Sequence, residues 1–353
     1  MKRYRIAVLP GDGIGPEVMA EGIKALKAVE RRLQTARFEL NEFPAGAGEC
    51  QRGSHPLPEK TLHQCREHEA MLLGTMGLRG VPWPDGTTSP QSELRERLDL
   101  YCGLRPVRLY RGTDSPLKGY STGAIDLMIV LANPEGGNRG RRQAIQPDAN
   151  ESEHTLRITR QGAQRVFEAA FEQARRRRNA ITLADTSNAL PSMALFRHAF
   201  EEVSQRFPTV RTEKAYAGTI VLRLVQRPHS FDVIVTESLF GDILSDLAAG
   251  LVGGPGLAPS ADIGEGHAVF RPLQDPAPGD AGRGIANPVA MILSIALMLD
   301  WLGTPDMRRG AALLRQAAEF VLAQPHQRTR DLGGSLSTSQ MGDLIAQAVA
   351  DGA

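Results

Sequence analysis

Two aspartates four residues apart stand in the run Gly241-Asp242-Ile243-Leu244-Ser245-Asp246. On a helix that spacing puts both carboxylates on one face, while Leu244, Leu247 and Leu251 line the other. Paired carboxylates suit a hard divalent cation, which takes oxygen ligands; the same spacing also describes a plain acidic helix surface. Arg95 and Arg105 form a second constellation, in Leu94-Arg95 and Leu104-Arg105-Pro106. Arginine carries a planar fork that grips carboxylates bidentately, so the two together suit a small anion. A third feature is the turn Pro10-Gly11-Asp12-Gly13-Ile14-Gly15. It is not GxGxxG, and glycine turns after strands also arise for structural reasons alone.

These residues need a frame. Arg5-Ile6-Ala7-Val8-Leu9 is a short apolar strand leading into the glycine turn, and Pro16 suits the first turn of a helix. Val18, Gly22, Leu26, Val29 and Leu33 fall at helical spacing and give that helix a buried face. Apolar runs at 70–73, 126–130, 180–183 and 231–235 read as further strands. Between several of them lie amphipathic helical stretches, such as 162–175 and 192–207. The alternation predicts an α/β chain. The polar segment 136–153 reads as an exposed excursion, and 253–280, rich in glycine and proline, as mostly loop.

Bulk properties exclude several classes. With 353 residues the chain suits one large or two ordinary domains. Its net charge of +1 gives no long-range field toward nucleic acid or membrane. The arginine clusters at 139–142 and 175–178 read as solvated loop or helix ends. Three cysteines without a CxxC pair form neither a disulfide framework nor a zinc site, which points to a reducing cytoplasm. The N-terminus lacks the apolar region of a signal peptide. The most apolar stretch, 288–302, contains Asp300 and falls short of the roughly 20 residues a bilayer needs. It reads as a buried core helix.

The ordered set is what carries a resemblance. After Asp12-Gly13-Ile14-Gly15-Pro16-Glu17 come Leu94-Arg95, Leu104-Arg105-Pro106 and Asn133-Pro134-Glu135-Gly136. Phe231-Asp232-Val233-Ile234-Val235-Thr236 then leads into Leu239-Phe240-Gly241-Asp242-Ile243-Leu244-Ser245-Asp246, and Ala281-Gly282-Arg283-Gly284-Ile285-Ala286-Asn287-Pro288 follows. In this order and spacing the chain resembles the β-decarboxylating dehydrogenases (isopropylmalate, isocitrate and tartrate dehydrogenases) from about residue 4 to the end. The resemblance implies a two-domain α/β fold with an interdomain cleft. One larger domain would combine 1–103 with 252–353. A central domain, 104–251, would carry the dimer interface. It further implies oxidation of a 2-hydroxy acid with NAD or NADP, the substrate held on Mg²⁺ or Mn²⁺, usually followed by loss of CO₂. The second subunit would complete the active site.

Carried over residue by residue, the family pattern makes Arg95 and Arg105 substrate-binding, Asp242 and Asp246 metal ligands, and Ile14, Gln274 and Asn287 cofactor-binding. The third substrate arginine matches Leu131, which cannot grip a carboxylate. The third metal aspartate matches Gly218, which offers no ligand. The tyrosine and lysine that serve as acid and base match Asn138 and Thr186, neither of which titrates near neutral pH. In the adenosine loop the histidine is Gln274, and Asp275 stands where glycine allowed close approach, so NADP is less favoured than NAD. NAD and the metal are both expected to bind more weakly than in the family. The expectation is a divergent protein that binds or acts on a small carboxylate with altered chemistry. The alternative is a non-catalytic homologue that regulates or assembles with an active paralogue. A homodimer is expected, or under that alternative a heteromer, with neither nucleic acid nor membrane as partner.

Overall fold

The computed structural model describes residues 2–84, 88–133 and 157–352. It divides into two compact units. The first takes 1–98, 253–261 and 266–353, and the second 99–252 with 262–265.

The first unit opens with β1 (Lys2–Leu9), α1 (Gly15–Leu33), β2 (Ala36–Glu42) and two short helices, α2 (Ala47–Gln51) and α3 (Glu59–Arg66). Then come β3 (Ala70–Leu73) and α4 (Pro90–Arg97). The second unit supplies β4 (Cys102–Arg108), β5 (Asp126–Ala132), α5 (Arg160–Arg175), β6 (Ala180–Asp185), α6 (Ser192–Ser204) and β7 (Arg211–Tyr216). It continues with α7 (Ala217–Gln226), β8 (Val233–Glu237) and α8 (Ser238–Gly250). β9 (Pro259–Ile263) is shared along its length, and β10 (Ala268–Pro272), α9 (Val289–Leu302), α10 (Pro305–Ala323) and α11 (Thr338–Asp351) complete the first unit.

In the first unit the strand order is β2-β1-β3-β10-β9, with β1 parallel to β2 and β3, and β10 parallel to β3. β1 and β3 are buried throughout their inner residues because helices cover them, as parallel strands require. The run 288–302 is indeed a core helix: α9 is buried on nearly all sides. Its one carboxylate, Asp300, lies at the last turn and pairs with Arg315 of α10.

In the second unit the order is β4-β5-β8-β6-β7. β4 and β5 are antiparallel, and the β5-β8, β6-β8 and β6-β7 pairs are parallel. Leu127, Ile129, Leu131, Ile234, Leu244 and Ala248 belong to one apolar cluster under α7 and α8. α5 and α6 close on each other through phenylalanines, with the Phe167 and Phe196 rings 4.5 Å apart.

Two sequence expectations change. The stretch 253–280 holds β9 and β10, each almost fully buried, so its glycines and prolines mark strand ends rather than a loop. The cluster 175–178 is not merely solvated. Arg177 bonds Asp126 Oδ1 at 2.6 Å and Asp232 Oδ1 at 2.8 Å, and Arg178 N–H donates to Asp232 Oδ2 at 2.8 Å. These bonds tie α5 to the starts of β5 and β8. The whole of the predicted excursion 136–153, with the cluster 139–142 inside it, lies outside the described residues.

Candidate functional site

Arg105, expected at the substrate, sits on β4 in the second unit and is only 1% exposed. Its Nη2 meets Asp262 Oδ1 at 3.2 Å, and its Nη1 donates to the Leu104 carbonyl at 3.0 Å. Asn133, at the end of β5, donates from Nδ2 to the same Asp262 oxygen at 2.9 Å. Both members of the ion pair are almost wholly removed from water. A buried cation must meet a counter-charge, and here the protein supplies one. Burial and the Asp262 carboxylate push the neighbouring Cys102 thiol up to about 12, so it stays protonated at neutral pH. Asp262 and Asn133 were missed in the sequence. Asn133 opens the segment Asn133-Pro134-Glu135-Gly136, but nothing in the spacing of Asp262 announces its partner.

Leu131, at the position of the third arginine, is 0% exposed and fills the adjoining space. A Cβ on Gly241 would stand 1.8 Å from Leu131 Cδ2, and one on Gly103 2.9 Å from Leu131 Cδ1. The glycine that opens the aspartate motif is therefore the seat for a leucine. The exchange at 131 is built into the packing rather than left as a void.

α8 begins at Glu237, whose buried carboxylate accepts from Leu239 N at 3.0 Å and Phe240 N at 2.8 Å. That cap fixes the rotation of the helix. Leu244 and Leu251 face the core, and Asp242 and Asp246 are exposed on the other side, as the spacing predicts. Among the described residues no group of three or more His, Cys, Asp or Glu side chains is placed to hold a metal. Two carboxylates nonetheless suit Mg²⁺, which commonly keeps several waters and takes only one or two carboxylate ligands. Gly218 lies exposed in the first turn of α7, and a Cβ there would meet nothing within 4 Å. Leu239 and Ile243 of α8 and Val221, Leu222 and Val225 of the adjacent α7 are exposed large apolar residues.

Of the acid and base positions, Asn138 lies outside the described residues. Thr186 follows β6, and its Oγ1 is buried with no hydrogen-bond partner among the described residues. Beside it Asp185 is fully buried and clamped by Arg197, with Nε at 2.7 Å and Nη2 at 3.1 Å. Lys214, the nearest lysine after Lys118 in the sequence, pairs with Glu201 of α6.

Arg95 lies on α4 in the first unit, half-buried. The Gln91 amide, oriented with its oxygen toward it, accepts from Arg95 Nη2 at 2.7 Å. The same oxygen accepts from Arg271 of β10, Nη2 at 2.7 Å and Nε at 2.8 Å. Arg271 was not singled out in the sequence; it lies inside β10 and belongs to no motif.

The three cofactor positions come together in the first unit. Ile14 N–H donates to the Pro276 carbonyl at 2.8 Å, which docks the glycine turn on the 273–287 loop. A Cβ at Gly13 would lie 1.9 Å from that carbonyl. Gln274 Nε2 donates to the Asn287 carbonyl at 3.1 Å, and the Asn287 side chain spans Asp331 Oδ2 and Val289 N, both at 3.1 Å. Gln274 Oε1 and Glu17 Oε1 are buried acceptors without a hydrogen-bond partner among the described residues. Buried acceptors need donors, and a cofactor ribose hydroxyl or adenine amine would supply one, so these residues fit an adenosine moiety.

A glycine turn docked on a glycine-rich loop in one α/β unit, and an aspartate helix in the other, define a two-unit α/β protein of dehydrogenase type. The profile of the isocitrate/isopropylmalate dehydrogenase family matches residues 5–345, and the chain belongs to that family. It is 38% identical to the 3-isopropylmalate dehydrogenase of Aquifex aeolicus over 94% of this chain and 92% of that one. With the enzyme of the same name from Moorella thermoacetica it shares 39% identity, over 99% and 100%. An isocitrate dehydrogenase from Methylococcus capsulatus superposes with a TM-score of 0.89 at 33% identity, over 98% and 99% of the two chains. A β-decarboxylating dehydrogenase from Thermococcus kodakarensis, in its apo form, gives 0.82 at 34%, over 99% and 96%. Among the described residues no helix is long and apolar enough to cross a membrane.

Proposed function

We propose that this chain is a divergent member of its family that binds or acts on a small dicarboxylate, has weakened NAD and metal sites, and does not carry out the usual oxidative decarboxylation. The observation that supports this reading is Thr186. At the position where the family resemblance puts a lysine base stands a neutral hydroxyl, buried and without a partner among the described residues. Lys214, the other lysine within reach in the sequence, is engaged by Glu201. General acid–base groups typically contribute about 10²–10⁴-fold each. With Thr186 and Asn138 in both positions, ordinary turnover falls by the product of two such factors.

The residues present still fit the family's groups. Asp242 and Asp246 would hold Mg²⁺ or Mn²⁺, and Ile14, Gln274 and Asn287 would border NAD. When bound, NAD supplies a hydride acceptor and the cation supplies charge beside the substrate hydroxyl. This chain's own side chains then orient an anion and exclude water. The proton-transfer groups are what it lacks. The exposed apolar residues of α7 and α8 flank the aspartates, and they support association with a second copy of the chain. Cytoplasmic residence fits the free cysteines.

The test is direct. With Mg²⁺ and NAD, isopropylmalate, isocitrate and tartrate are expected to give little or no NADH. Ordinary rates with any of them would overturn the reading. A thermal-shift screen over NAD, Mn²⁺ and dicarboxylates is expected to raise the melting temperature, since a ligand of the native state stabilises it. Silence across the screen, with a paralogue co-purifying, would favour a regulatory partner instead.

A further inference from the structure

We infer that Gln274 reads the base of the dinucleotide: it is a specificity-determining residue that takes adenine and rejects a base with a carbonyl in place of the exocyclic amine. The inference deepens the NAD reading and rests on it for the cofactor.

Gln274 is held by its amide nitrogen. Nε2 donates to the Asn287 carbonyl at 3.1 Å, a group that only accepts, so the amide cannot be turned over. Oε1 is thereby fixed as well, and it is a buried acceptor with no hydrogen-bond partner among the described residues. Leaving such an atom unpaired costs about 1–3 kcal/mol, which a ligand N–H removes. An amide nitrogen carries two hydrogens, and the bond to Asn287 leaves the second for the ligand. One acceptor beside one donor is the pair with which glutamine meets adenine, at the exocyclic amine and the adjacent ring nitrogen. Hypoxanthine offers two acceptors along the same edge, so the Gln274 oxygen would face another oxygen.

The support behind Gln274 is buried. Asn287 is 2% exposed; its Nδ2 donates to Asp331 Oδ2, and its Oδ1 accepts from Val289 N at the start of α9. A carboxylate only accepts and a backbone N–H only donates, so Asn287 has one orientation too. Asp331 is held in turn by the hydroxyl of the wholly buried Thr329, which donates to Oδ1 at 2.5 Å. Glu17, the other unpartnered acceptor, is a carboxylate, fixed through Oε2 by Gly284 N at 3.3 Å. Acidic side chains take the ribose hydroxyl of dinucleotides, which leaves the amide for the base. The Gln274 amide is thus set in place before any ligand arrives, as selective recognition requires.

Titration calorimetry on the full chain with NAD and with nicotinamide hypoxanthine dinucleotide tests this. The wild type is expected to bind NAD roughly tenfold or more tighter than the hypoxanthine analogue. Gln274→Leu keeps the size of the side chain and removes both polar atoms, so it should weaken NAD binding and bring the two affinities together. Gln274→Arg offers donors only, which suits an edge of two acceptors, and should reverse the order. A residue that merely shapes the loop would change both affinities by one factor and leave their ratio alone. The wild-type comparison needs no variant to fold. Equal affinities there overturn the inference and leave the NAD reading standing, as does a preference that survives unchanged in Gln274→Leu. No binding of either dinucleotide by the wild type removes the NAD reading, and the inference with it.

Discussion

Arg105 and Arg95 come from similar short motifs, yet their surroundings give them opposite characters. Arg105 is 1% exposed and meets Asp262, and Asn133 donates to the same carboxylate oxygen. Arg95 is half-buried and shares an uncharged oxygen with another arginine. A buried guanidinium needs an internal counter-ion whatever else the protein does, so burial commits Arg105 to the fold. A cation at the water boundary faces no such demand, because water screens it. Residue type and motif are the same in both. The local dielectric and the nearest carboxylate decide what each arginine does.

Asp262→Ala breaks this contrast most severely. Removing one member of a buried pair strands the other, and such losses typically cost about 3–5 kcal/mol. Urea unfolding should show that loss for Asp262→Ala, whereas Arg95→Gln should shift stability by only about 0.5 kcal/mol, as surface changes do. Similar small shifts for both would mean that Arg105 is solvated after all and that the two regions are alike.

Leu131→Arg probes the same corner from its apolar side. Restoring the family's third arginine would bring a second guanidinium beside Arg105, where Gly103 and Gly241 already press against the leucine. Overpacking of that kind costs about 1–3 kcal/mol. The variant is therefore expected to be less stable and to gain no dicarboxylate affinity. Tighter binding without loss of stability would show that the corner opens, and would return Arg105 to the role its motif implies.

How far the sequence reaches follows the same divide. Strands β1, β3, β5, β6 and β8, helices α1, α5, α6 and α9, and the two-faced pattern of α8 were legible, because burial writes a period into residue type. β9 and β10 were hidden, since their buried residues are short runs fenced by glycine and proline. Asp242 and Asp246 were legible as neighbours because one helix joins them. The partnership of Arg105 with Asp262 spans 157 positions, and that of Gln91 with Arg271 crosses from a helix to a distant strand. No local spacing encodes such pairs. Only the fold brings them together.

Thr186 extends the comparison to neutral groups. Its buried Oγ1 lacks a partner among the described residues, unlike the fully bonded Asp185 next to it. Replacing an unsatisfied buried hydroxyl by a methyl of the same shape removes a desolvation penalty of about 1–3 kcal/mol, partly offset by imperfect packing. Thr186→Val should thus raise stability by about 1 kcal/mol in thermal unfolding without ligand. If it lowers stability instead, the hydroxyl is bonded, and the contrast with Asp185 disappears.

Gly218→Asp gives the smallest effect and separates the two meanings of the aspartate face. The residue lies in the first turn of α7, exposed, with open space where its Cβ would go, and the helix has no side-chain cap. A carboxylate near a helix N-terminus contributes about 0.3–1 kcal/mol, and losing a helical glycine adds to it. Stability should therefore rise by roughly 0.5–1 kcal/mol, screened by salt. If the third ligand position is part of a working site with Asp242 and Asp246, Mn²⁺ affinity should rise in the same variant, by titration calorimetry. Should stability rise while Mn²⁺ affinity stays fixed, the carboxylate acts on its own helix alone, and position 218 lies outside any metal site. Should both rise, the open glycine is the reason the site is weak, and the loss is of one ligand rather than of the geometry that would hold it.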